Sequence, residues 1–107
     1  MLLEIETTHG VARADLQPAD QARGALVLGH GAGGGIEAPD LVAATKAALS
    51  VEIAVALIEQ PYRVAGRRAP PRPPVLDAAW ISVVGQLSAG ALAGLPIVGA
   101  AVQWAAE

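Results

Sequence analysis

Apolar and polar residues alternate strictly at the start of the chain. Leu3 and Ile5 fall on one side of an extended segment and Glu4 and Glu6 on the other, which predicts a half-buried strand over residues 2–7. His9-Gly10 reads as a turn. The alternation then resumes over residues 11–16, with Arg13 and Asp15 opposite Ala12, Ala14 and Leu16. Two such runs around a short turn predict a β-hairpin. Pro18-Ala19-Asp20-Gln21 reads as a loop.

The pattern changes at Ala25. Ala25-Leu26-Val27-Leu28 is a continuous apolar run ending in glycines, the signature of a strand covered on both faces. Pro39 and Asp40 open a helix, since proline tolerates the first turn and an acid suits the positive N-terminal end. Leu41, Ala44, Thr45, Ala48 and Leu49 line one face of it. Residues 53–58 form a second buried run ended by Glu59 and Gln60. Residues 61–74, rich in Pro and Arg, are expected to be irregular. Leu76, Trp80, Val83, Val84 and Leu87 recur at helical spacing, with Trp80 expected in the core. Pro96-Ile97-Val98 looks like the start of a third buried strand.

The predicted order is a hairpin followed by β-α-β-α-β. The fold class is therefore α/β, with parallel strands and helices on the sheet faces. Ligands in such sheets bind at the carboxyl ends of the strands.

With 107 residues the chain makes one domain at most. Phe is absent and the aromatic residues are Tyr62, Trp80 and Trp104, so core volume must come from Leu, Val and Ile. A net charge of −3 argues against nucleic-acid binding, which needs a basic patch. The absence of Cys excludes disulfides, thiolate nucleophiles and Cys-ligated zinc. His9 and His30 are too few and too isolated for a metal site, and no cofactor is expected. The acidic, alternating N-terminus has no secretory pattern, so cytoplasm is the expected compartment. Residues 78–106 carry no charge and are formally long enough to span a membrane. Gly90, Gly94 and Pro96 interrupt them, so the expectation is a buried helix plus strand.

The chemistry centres on the Gly-rich turn His30-Gly31-Ala32-Gly33-Gly34-Gly35. One use of such a turn is dinucleotide binding: Gly29, Gly31 and Gly34 match G-x-G-x-x-G, and Glu59 stands where a ribose-binding acid would sit. Against it, Ile36, Glu37, Ala38 and Pro39 separate the glycines from the helix, whose N-terminus should meet the pyrophosphate. The other use is acyl transfer, in which small residues free backbone N–H groups to meet a developing oxyanion. Ala32 and Gly33 are the candidate donors, and His30 is expected to brace the loop. Glu59, Tyr62, Arg67 and Arg68 are candidate pocket residues, the arginines as partners of an anionic group.

The stretch Leu26-Val27-Leu28-Gly29-His30-Gly31-Ala32-Gly33-Gly34-Gly35 resembles the oxyanion loop of the α/β-hydrolase superfamily. The continuation Glu59-Gln60-Pro61-Tyr62-Arg63-Val64-Ala65-Gly66-Arg67-Arg68-Ala69-Pro70, with Asp77-Ala78-Ala79-Trp80, is similar to one branch of it. That branch holds the dienelactone-hydrolase-related proteins, including the testis-expressed hydrolase-like proteins. The resemblance covers residues 3 to 98 and implies hydrolysis of small esters by a serine nucleophile. It also implies a G-x-S-x-G elbow directly after Val98. The chain instead reads Gly99-Ala100-Ala101-Val102-Gln103-Trp104-Ala105-Ala106-Glu107. Ser50, Ser82 and Ser88 lack the flanking glycines, and no later acid or His follows. The expected organisation is thus an N-terminal hydrolase part over residues 1–98 and an atypical tail over 99–107. The tail reads either as a shift of reading frame near Gly99 or as a shortened paralogue. The expected state is an N-terminal fragment, inactive alone. A further alternative is a non-catalytic interaction module that self-associates through the sheet edge exposed after Val98.

Overall fold

The computed structural model describes residues 1–30 and 36–101. The hairpin forms as the alternation predicts, from β1 (Leu2–Thr7) and β2 (Gly10–Gln17), paired antiparallel from Leu2↔Asp15 to Thr7↔Gly10. Thr7 Oγ1 accepts the His9 N–H (3.0 Å) and donates to the Gly10 carbonyl (2.8 Å), tying the turn together. Gly10 has φ 115°, a conformation that side chains with a Cβ avoid.

The rest follows as β3 (Gly24–Gly29), α1 (Pro39–Leu49), β4 (Ile53–Glu59), α2 (Pro61–Val64), α3 (Pro73–Ala89) and β5 (Ile97–Ala101). The described strands form one sheet in the order β1-β2-β4-β3-β5. β3 pairs parallel with β4 (Gly29↔Ile58) and with β5 (Leu26↔Val98), while β2 pairs antiparallel with β4 (Arg13↔Glu59). The architecture is α/β, as expected.

Strand periodicity sends alternate residues of β3 and β4 to opposite faces. Leu28, Val55 and Leu57, with half-buried Leu26, pack against Leu41 and Ala48 of α1. Ala25, Val27, Ala54, Ala56 and Ile58 join Ile5, Ala12, Ala14 and Leu16 of the hairpin, under Val83 and Leu87 of α3. Small alanines and larger Ile, Leu and Val side chains pack together on this second face, which is how a core without Phe is filled.

The Pro/Arg segment is more regular than expected. Pro61 and Pro73 each stand at the N-terminal end of a helix, α2 and α3. A first-turn N–H has no intrahelical partner to lose, so proline starts these helices instead of breaking them. The third parallel strand is present but is not buried. β5 lies at the edge of the sheet, and Val98 is 66% exposed. Trp80 is half-buried instead of fully in the core, and its indole Cζ2 would lie 3.3 Å from a Cβ placed on Gly99. The uncharged stretch breaks where its glycines fall: α3 ends at Ala89, and Gly94 turns the chain with φ 85°. Among the described residues no helix is long and apolar enough to cross a membrane.

Candidate functional site

Register defines one edge of the sheet. Parallel strands β3 and β4 end side by side, and the antiparallel pairing of β2 with β4 begins at the same level, with Arg13 opposite Glu59. The residues just beyond these ends converge. His30 follows β3, Gln60 follows β4, and His9 stands in the hairpin turn just before Gly10 of β2.

His30 is 1% exposed, and its Nε2 accepts the backbone N–H of Gln60 at 3.0 Å. An imidazole nitrogen that accepts does so through its lone pair, so this bond engages Nε2 as an acceptor. This bond ties the entry of the Gly-rich turn to the end of the neighbouring strand. The ring meets Tyr62 edge-on, with centroids 6.0 Å apart at 61°. Burial raises the Tyr62 phenol above its ordinary value, and the nearby Arg63 guanidinium opposes this more weakly.

Gln60 is also 1% exposed, and its Nε2 donates to the Leu76 carbonyl at 3.3 Å. A carbonyl only accepts, so the amide cannot be flipped without setting two acceptors face to face. Oε1 is left buried without a partner among the described residues. Gln60 therefore joins three elements: the end of β3 through His30, the end of β4 by its own backbone, and the first turn of α3.

A cleft of about 490 Å³ opens beside Gln60, between the hairpin turn and α2. Its polar lining comes from His9, Gln60, Tyr62 and Arg67, and its apolar lining includes Val64 and Val75. Gly66 fixes the backbone that carries Arg67. With φ 82°, Gly66 closes α2 in a left-handed cap, donating to Arg63 O (3.0 Å) while Arg67 N donates to Tyr62 O (2.9 Å).

The predicted site residues divide. Tyr62 and Arg67 are brought together at the cleft. Glu59 lies outside its lining and sits 4.0 Å from Arg13, in a hairpin-to-β4 ion pair. Arg68 is exposed and also lies outside the lining. Ala32 and Gly33, with Gly31 and Gly34 of the dinucleotide motif, fall outside the described residues, whereas Gly29 ends β3. His9 and Gln60 were not singled out from the sequence as pocket residues. His9 reads there as part of a turn and as one of two isolated histidines, and a Gln before Pro61 carries no periodic signal. Among the described residues no group of three or more His, Cys, Asp or Glu comes together to hold a metal ion.

Solved structures share this fold. A serine hydrolase homologue from Coxiella burnetii superposes with a TM-score of 0.76 at 11% identity, over 94% of this chain and 50% of its own. A cold-adapted esterase from an Arctic intertidal metagenomic library gives 0.72 at 12%, over 95% and 49%. A hyperthermophilic esterase from Pyrobaculum calidifontis gives 0.69 at 20%, over 94% and 33%. The fold is that of the α/β-hydrolases, and this chain spans half or less of those chains. No protein-family model and no curated protein matches the sequence.

Proposed function

We propose that this chain is the N-terminal, oxyanion-loop part of a serine α/β-hydrolase of the dienelactone-hydrolase-related branch, a cytoplasmic enzyme class acting on small esters. The observation that carries the reading is the bond from Gln60 N–H to His30 Nε2. It anchors the first residue of the Gly-rich turn at the carboxyl edge of the parallel strands, where Ala32 and Gly33 would offer their N–H groups to an oxyanion. A tetrahedral intermediate needs a nucleophile as well, and no G-x-S-x-G elbow occurs among the 107 residues. These residues alone therefore should not turn over esters. The test is exposure of the purified chain to a serine-directed fluorophosphonate, with intact-mass detection. No adduct is expected, and a stoichiometric adduct would refute the missing nucleophile.

A second reading is favoured by β5. No strand pairs with its outer edge among the described residues, and Val98 is exposed there. An open edge with an apolar side chain invites pairing with another copy. Light scattering should then show a dimer that Val98→Lys dissolves, and a monomer at all concentrations excludes it.

A further inference from the structure

We infer that the cleft between the hairpin turn and α2 is a binding site for a small organic anion, set on the β2–β4 side of the carboxyl edge and apart from the place of a nucleophile. Position gives the separation. The cleft is built on the β2–β4 side, whereas β5, from which the resemblance would place a nucleophile, lies beyond β3. Adjacent strands are about 4.8 Å apart, so β4 and β5 lie roughly 10 Å apart. Of the His30–Tyr62 pair, Tyr62 alone lines the cleft.

The ligand class follows from the lining. A volume of about 490 Å³ suits a small molecule. Pro61, Val64, Pro71 and Val75 offer an apolar wall for its body. Among the described residues no Asp or Glu lines the cleft, Asp77 being exposed on α3 outside the lining, although the chain as a whole carries a net charge of −3. The nearest carboxylate in sequence, Glu59, is turned towards Arg13. Arg67, an exposed side chain, is the positive charge among the described lining residues, and the Gly66 cap holds its backbone in place. A guanidinium pairs with a carboxylate or a phosphate through two parallel N–H donors. The occupant is therefore an oxyanion head on a short apolar body, with the head on Arg67.

Titration of ¹⁵N-labelled protein with hexanoate, hexyl phosphate and hexanol tests this. Both anions should give saturable shifts confined to residues around Gly10, Val64, Ala65 and Arg67. The tighter of the two identifies the head group. Arg67→Gln should weaken the better anion about ten-fold or more, the worth of one charged hydrogen-bonded contact. Arg68→Gln, on an exposed residue outside the lining, should change it less than about two-fold. Hexanol binding as tightly as the anions would overturn the proposal. So would equal losses in the two variants, or shifts scattered over the surface, since either would mean diffuse attraction to the basic segment.

Discussion

At the scale of single residues, the His30–Gln60 contact has a measurable cost if broken. Replacing His30 by Leu keeps much of the volume but leaves the buried Gln60 N–H without its acceptor. We expect a loss of about 1–3 kcal/mol in urea unfolding, and an unchanged midpoint would show that the bond does not hold the turn. Gly66 has a different sensitivity. A Cβ there would meet nothing within 4 Å, so Gly66→Ala is opposed only by the positive φ. The expected cost is about 1–2 kcal/mol, read from the same unfolding curve. Tyr62 adds a pH dependence. Burial favours its neutral phenol, so its contribution is fully present below the ordinary value of 10.0 and is lost as pH rises through the higher folded value. Stability should fall across that alkaline window in the parent and less steeply in Tyr62→Phe. His30 was legible in the sequence because a bulky side chain stands out among glycines. Gln60 was not, because its role is set by a carbonyl on α3 that only the folded chain brings near.

Among the elements, α3 carries the face of the sheet that the hairpin shares. Leu87 is 2% exposed, whereas Ile81, on the same helix, is 69% exposed. Leu87→Ala should destabilise by about 2–5 kcal/mol and Ile81→Ala by less than about 0.5 kcal/mol. Similar losses at both sites would mean that α3 is seated differently. The hairpin, both central strands and both long helices were readable because burial on one or two faces stamps a period on the residues. The segment from Pro61 is not legible as helix because proline reads as a breaker, while its position in the first turn makes it a starter. The third strand was recognised by its apolar start. Its exposure was not foreseen, because apolar composition does not say whether a strand lies inside the sheet or at its edge.

For the molecule as a whole, a radius of gyration of 13.0 Å is that of a compact chain of about 100 residues. The part of the hydrolase fold present here thus closes around cores on both faces of its sheet. Calorimetry should show one cooperative transition, and separate transitions for the hairpin and the parallel strands would contradict a shared core. The sequence resemblance led to the right fold because strand order and glycine placement are dictated by packing. It could not disclose the cleft, whose walls bring the hairpin turn against residues 60–79, far from it along the chain. The meeting of Trp80 with Gly99 has an optical consequence. The chain has two tryptophans, and Trp104→Phe would leave Trp80 as the sole indole. Its emission would then report the docking of β5 directly. A red shift preceding the main unfolding transition would time the release of the edge strand against the loss of the core.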